Sequence, residues 1–262
     1  MADANIPKII HYCHFGEVKF DDAILSAWKK ICPDYKYICW DESSIDFSFS
    51  PYLKEAYDRG MWAFVSDVVR LQALYQYGGI YLDTDVELVK SFDELLINDM
   101  FWGFESDSSV GTAVIGSALG NSIIRELLDQ YKYQHFIVDG DADLTTNVQR
   151  VSRFLEKSGF VINGKLQEKD GVVIYPQEYF SPKDFVTGEI NLTPNTFAVH
   201  HFSASWKSEE EKMRDSIFFK LKRRLPEKIA WNMASYVSVM KCRGIIKGHR
   251  DMFRLLARGK SK

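Results

Sequence analysis

Apolar residues recur along this chain with two periods, and the switches between them mark its elements. Residues 6–13 form a short apolar run with Pro7 at its start and Gly16 just past its end, which predicts a first strand. Residues 21–31 change to helical spacing, with Ala23, Ile24, Ala27, Trp28 and Ile31 on one side, Asp21 or Asp22 as N-cap and Pro33 as the stop. Residues 35–40 predict a second strand, which ends in Asp41 and Glu42. Strand, helix and strand in that order imply parallel pairing and an α/β fold. Residues 43–60 show neither period and are read as an irregular aromatic segment, whereas residues 61–77 are helical, with Phe64, Val68, Leu71, Leu74 and Tyr75 at steps of three and four. Further strands are expected over 101–105, 112–115, 172–175 and 196–202, helices over 122–133 and 144–158, and an acidic loop over 139–143.

Candidate chemistry gathers where the long helix runs into a strand, at Gly78-Gly79-Ile80-Tyr81-Leu82-Asp83-Thr84-Asp85. Glycine ends a helix at no steric cost. Ile80, Tyr81 and Leu82 then read as a strand that Val86, Leu88 and Val89 resume. Residues two apart on an extended chain face the same way, so Asp83 and Asp85 are expected to aim both carboxylates at one point, a setting for a hard divalent cation. An isolated Asp-x-Asp is more often a solvated turn. The glycine pair, the apolar strand and the acids at its carboxyl end favour a site. His11, Tyr12 and His14 stand at or near the same edge of the first strand. Asp67 and Arg70, three apart, share a helix face, and spacing alone leaves a simple ion pair as open as a functional role. His200 by itself reads as a core histidine as readily as a ligand.

At 262 residues, with 46% hydrophobic and 26% charged, the composition is that of a soluble globular protein of one large or two small domains. The 14% aromatic content suits a core or a sugar- or base-stacking cleft equally. Cys13, Cys32, Cys39 and Cys242 follow no metal or disulfide spacing, which points to a reducing, cytoplasmic setting. The first residues carry no apolar leader, and no run long enough to span a membrane is present. Charge is uneven: residues 212–262 hold 15 Lys and Arg against 3 Asp and Glu, and residues 1–211 hold 18 against 33. Within the basic tail, Ile217, Phe218, Leu221, Leu225, Ile229, Trp231, Met233 and Tyr236 alternate with Lys220, Lys222, Arg223, Arg224 and Lys228. That pattern fits an interfacial helix on an anionic membrane, or one packed on the body with a solvated basic face. A nucleic-acid partner is not expected, because the acidic body lacks a basic aromatic channel.

Four ordered motifs carry a resemblance: Ile6-Pro-Lys-Ile-Ile-His11-Tyr-Cys, Ala63-Phe-Val-Ser-Asp67-Val-Val-Arg70, Gly78 to Asp85, and His200-His-Phe-Ser-Ala-Ser-Trp206. Together they resemble the DXD sugar-transferase family, the glycosyltransferases of bacterial capsule and exopolysaccharide synthesis related to yeast mannosyltransferases and to clostridial glucosylating toxins. The resemblance implies a GT-A fold over residues 1–211, with residues 212–262 as a helical C-terminal extension. It also implies a nucleotide-sugar donor, UDP favoured, and Mn2+ (or Mg2+) as cofactor. Retention of configuration and front-side attack, helped by the leaving phosphate, go with it. Asp85 is then the direct metal ligand, with His200 and Ser205 closing the coordination sphere. Asp83 contacts the donor ribose or sugar and supports the metal's water shell. Asp67 and Arg70 match positions that hold sugar hydroxyls and the diphosphate, and Gly79, Tyr81 and Trp206 belong to the donor cleft. His14 replaces the family's usual base-stacking tryptophan, with His11 and Tyr12 beside it. No covalent nucleophile is assignable, and the choice of base stays open among Asp107, Glu105 and other acids. The acceptor expected is a lipid-linked saccharide of capsule, exopolysaccharide or O-antigen synthesis, met peripherally at the inner face of the plasma membrane. A toxin-like protein glycosyltransferase and a non-catalytic nucleotide-sugar or membrane-binding module are the alternatives.

Overall fold

The computed structural model describes residues 5–17, 20–184, 187–203 and 209–244, which form two compact units. Ser205, Trp206 and the tail beyond residue 244 lie outside the described residues. The larger unit begins with β1 (Ile9–Cys13), α1 (Asp22–Ile31), β2 (Lys36–Trp40), α2 (Pro51–Asp58), α3 (Trp62–Tyr77) and β3 (Gly79–Leu82). β1 pairs in parallel with both β2 and β3, placing Ile10 opposite Tyr37 and Ile80. Parallel neighbours need crossovers, which α1 and the α2–α3 pair supply. The chain leaves β1 on one side to make β2 and comes back on the other to make β3. The carboxyl ends of β1 and β3 thus flank a point where the winding reverses, the place where open α/β sheets hold ligands.

The unit continues with β4 (Val86–Leu88), β5 (Met100–Ser106), β6 (Ser109–Ser117) and α4 (Ser122–Tyr131). Then come β7 (Ile137–Val138), β8 (Asp141–Ala142), α5 (Asn147–Lys157), β9 (Gln167–Lys169), β10 (Val172–Tyr175) and β11 (Ala198–His200). The main sheet has seven strands in the order β2-β1-β3-β6-β5-β10-β9. It is mixed, because β6 runs against both its neighbours while β10 runs with β5. β4 and β11 form a separate antiparallel pair with His200 opposite Val86. Side chains alternate across the sheet, Ile80 and Leu82 entering one core and Tyr81 the other. α3 belongs to Tyr81's side and is buried without a break from Phe64 to Leu74, so Ser66, Asp67, Arg70 and Gln72 are inside with the apolar residues. Polar groups so placed persist only when paired.

The structure corrects several expectations. Residues 43–60 contain a 3-10 turn and α2, which starts where Ser50 Oγ accepts the Leu53 N–H at 3.2 Å and Pro51 occupies the first turn. Two helical turns are too few to display a 3.6 period. The acidic loop is the reversal of the β7–β8 hairpin, with Asp139 and Gly140 at positive φ. β3 stops at Leu82, and the Val86 N–H donates to Asp83 O at 3.1 Å, so a turn rather than strand alternation brings Asp85 round. The Trp28 indole of α1 donates to Val86 O at 2.8 Å and fixes where that turn ends.

The smaller unit is a helix pair, α6 (Glu209–Lys222) and α7 (Glu227–Arg243), closed on Phe218, Ala230 and Ala234. Pro226 separates the helices, since the residue before a proline is disfavoured in the helical region.

Candidate metal and donor site

The strand that carries the acids is fixed first at its glycine end. Gly78 and Gly79 have φ of 62° and 100°, and a Cβ on Gly79 would lie 2.6 Å from Ile9 O. Both the handedness and the space demand glycine. His11 Nε2 lies 2.8 Å from Gly78 O, and the Trp40 indole N–H donates to His11 Nδ1 at 3.1 Å. An accepting Nδ1 leaves the proton on Nε2, which donates to Gly78 O. Burial pushes the His11 pKa down to about 4; the Gly78 bond opposes this and Lys36 adds to it. His11 is therefore a fully buried neutral brace beneath the turn, not a group at the donor edge as its position in the sequence suggested.

Arg70 occupies the centre of the next layer. Its Nε–H donates to Ser66 O at 3.1 Å, one terminal nitrogen donates to Thr112 O at 2.8 Å, and the other to Ser66 Oγ at 2.8 Å. The same two nitrogens face Asp83 Oδ1 at 3.3 Å and Asp67 Oδ1 at 3.1 Å. The guanidinium stands 4.5 Å from the centre of the Tyr81 ring, and the Tyr81 hydroxyl donates to Asp83 Oδ1 at 2.9 Å. The ion pair left open by spacing does form, and it reaches on to the first aspartate of the motif. Burial would lower the Arg70 pKa, but Asp83, Tyr81 and Asp67 together hold it above its ordinary value. Burial pushes Asp67 up to about 6 against the pull of Arg70.

Asp85 is delivered to the other side of the motif. The His201 N–H donates to Asp85 O at 3.0 Å, continuing the β4–β11 pairing, and this sets His200 Nε2 3.4 Å from Asp85 Oδ1. One ligand atom each from Asp83, Asp85 and His200 lies within 4.8 Å of the others. His200 Nδ1 is buried with no hydrogen-bond partner, and its ring packs on Phe202 at 4.1 Å between centroids, Phe202 itself having φ 54°. Burial favours the neutral His200 ring, but the bond to Asp85 and the charges of Asp85, Asp83 and Glu105 outweigh it and raise the pKa. Two carboxylate oxygens and an imidazole nitrogen form a donor set that suits Mn2+ or Mg2+, and the residues present fit such an ion.

The two acids that spacing could not separate occupy different places. Glu105 falls at an irregularity of the β5–β6 register between the pairs Phe104–Val110 and Ser106–Ser109, and its side chain runs past Gly111, where an added Cβ would lie 3.2 Å from the Glu105 Cβ. Bulges of this kind re-aim a side chain. Burial raises the Glu105 pKa, opposed by the charge of His200 and a bond from Ser109, and reinforced by Asp83. Glu105 therefore borders the cluster, whereas Asp107 is exposed in the hairpin turn. Tyr12 is buried, stacked on Phe20 at 5.0 Å, and burial pushes its hydroxyl up to about 12. His14 is half-buried, edge-on to the same Phe20 at 5.3 Å. Ser66, Thr112 and Trp40 complete the scaffold and were missed; only Ser66, one helical turn before Arg70, left a signal in the sequence.

Residues 20–102 match the family described as "Glycosyltransferase sugar-binding region containing DXD motif". The matched stretch is similar to that family's DXD region, and in this chain it includes the acidic end of β3 within the α/β sheet. Over 136 residues it is 35% identical to inositol phosphoceramide mannosyltransferase 3 of Schizosaccharomyces pombe, which covers 48% of this chain and 37% of that protein. Over 139 residues it is 30% identical to mannosyl phosphorylinositol ceramide synthase SUR1 of Saccharomyces cerevisiae, covering 49% and 35%. The chain thus spans little more than a third of the curated relatives it matches. Among solved structures, the PaToxG glycosyltransferase is similar at TM-score 0.41 and 21% identity over 47% of this chain and 59% of that one. The galactosyltransferase LgtC, solved with donor and acceptor sugar analogues, has TM-score 0.41 and 15% identity over 86% and 99%.

Proposed function

We propose that this protein transfers a sugar from a nucleoside diphosphate donor to a lipid-held glycan acceptor, with Mn2+ (or Mg2+) bound by Asp85, His200 and Asp83 and with retention of configuration. The supporting observation is the convergence of those three side chains at the carboxyl end of β3, beside the reversal between β1 and β3. A cation held there supplies a Lewis acid for the charge that develops on the departing diphosphate. Arg70 and Tyr81 hold Asp83 at its Oδ1, so the carboxylate is oriented before donor arrives. In the reaction the anomeric carbon–oxygen bond to phosphate breaks and the bond to the acceptor oxygen forms. The acceptor proton passes to the leaving phosphate oxygen. Glu105, whose carboxylate is coupled in charge to His200 and Asp83, is the acid this reading assigns to the acceptor side. The two yeast relatives are named for mannosyl transfer to a phosphoinositol ceramide, which favours a lipid-anchored acceptor. Capsular, exopolysaccharide and O-antigen intermediates belong to the same acceptor class.

The experiment is a thermal-shift panel of UDP, GDP and their sugars with and without Mn2+, since a ligand bound only by the folded state raises its apparent stability. The expected result is a metal-dependent rise, with uridine nucleotides the most effective. A rise with guanosine alone overturns the base, and no rise with any nucleotide overturns the reading.

A further inference from the structure

Exposed apolar side chains on the larger unit are scattered singly, as Leu119, Tyr133, Leu144 and Val161 are in separate loops, and need no special account. α7 is different. Ile229 is 49% exposed, Met233 45% and Tyr236 36%, and these positions fall at i, i+4 and i+7 on one face. The residues packed against α6, Ala230 and Ala234, lie on another face. Trp231 does not join the stripe: it sits edge-on to Phe218 at 5.3 Å with Arg214 4.6 Å from its ring. At the amino end of the stripe Arg223 and Arg224 are exposed in the connection between the helices, and Lys228 is exposed in the first turn of α7. An apolar stripe with a basic end is the arrangement of helices that lie in a bilayer interface.

Charge narrows the occupant. With 15 basic against 3 acidic residues over 212–262, anionic headgroups complement this segment, and a second copy meeting it through the same helix would bring like charge against like. No described helix is long and apolar enough to cross a membrane. We propose that the α7 face of Ile229, Met233 and Tyr236, with Arg223, Arg224 and Lys228 at its end, docks this protein on an anionic lipid bilayer. The purpose rests on the lipid-acceptor reading above, and the docking itself is measured without donor or acceptor.

The test is sedimentation of the full chain with vesicles of phosphatidylcholine alone and of equal parts phosphatidylcholine and phosphatidylglycerol. Binding is expected to the anionic vesicles only, weakening as salt rises. Arg223→Gln with Arg224→Gln is expected to weaken it roughly thirtyfold, from about 1 kcal/mol per basic residue near the surface. Ile229→Ser with Met233→Ser is expected to weaken it roughly tenfold or more. Both variants should keep the wild-type melting temperature and Mn2+-dependent donor hydrolysis. A wild-type chain that ignores anionic vesicles at low salt overturns the proposal, as do variants that bind like wild type. A dimer in light scattering that the serine variant dissociates shows instead that a second copy covers the stripe. A serine variant that melts early shows that the stripe packs on protein, which overturns the proposal as well. Vesicle binding without hydrolysis, or hydrolysis without vesicle binding, separates failure of the function from failure of the docking.

Discussion

The larger unit hides charge among apolar residues, and the smaller one shows apolar residues to water. Asp67 and Arg70 are buried in α3, whereas Ile229 and Met233 are nearly half exposed on α7. Both reverse the usual partition, and for opposite reasons. The buried charges are satisfied: Arg70 reaches two carboxylates, a backbone carbonyl on β6 and Ser66, so its cost is offset by geometry that orients Asp83. The apolar stripe of α7 stays open to solvent at Ile229 and Met233. An internal exception of this kind shapes a site, and an external one marks a surface.

The sharpest way to break the comparison is to remove the cation and leave its partners. Arg70→Met strands Asp67 and Asp83 and is expected to cost about 3 to 5 kcal/mol in urea unfolding. A loss under about 1 kcal/mol would show that the charges are hydrated after all. Next in size, Asp85→Asn is expected to reduce Mn2+-dependent hydrolysis of a nucleotide sugar on the order of a hundredfold while the melting curve stays in place, because Asp85 sits on a turn beyond β3. Wild-type turnover in excess chelator contradicts the metal assignment. Gly79→Ala tests the brace beneath the motif: its φ of 100° and the contact with Ile9 O predict roughly 2 kcal/mol of destabilisation.

The smallest net effect in wild type is in pH, because two buried groups act with opposite sign. His11 has its folded pKa lowered from 6.5 to about 4, so between those values the unfolded chain takes a proton that the folded one refuses. Stability from this group is whole above pH 6.5 and is lost as pH falls toward 4, by up to about 1.4 kcal/mol per pH unit. Asp67, raised from 3.8 to about 6, has the opposite sign, because there the folded state takes the proton first. The two slopes oppose each other over pH 4 to 6. Relative to wild type, Asp67→Asn should therefore lose stability more steeply as pH falls through that window, and His11→Asn less steeply. Urea unfolding at a series of pH values checks the order, and parallel curves for all three proteins refute it.

Much of this was legible along the chain, because it depends on neighbours. The parallel opening, α1 with its Asp21 cap, α3, and β10 at Val172–Tyr175 follow from periodicity and end signals. The glycine pair and the two acids follow from what a backbone can do at positive φ. α2 leaves no signal because two turns give no period, and the helix pair reads as one run because the apolar repeat continues across Pro226.

By itself the sequence determined that a strand would issue from a double glycine and end in two carboxylates, since those constraints span only a few residues. Tertiary structure decided what stands around them. His200 reaches Asp85 only because β11 pairs with β4, and Arg70 reaches Asp83 only because α3 lies on Tyr81's face of the sheet. Glu105 lies where the β5–β6 register slips, between the pairs Phe104–Val110 and Ser106–Ser109, while Asp107 is exposed in the hairpin turn. Such contacts are set by strand register and by which face a helix covers. Local spacing carries no record of either.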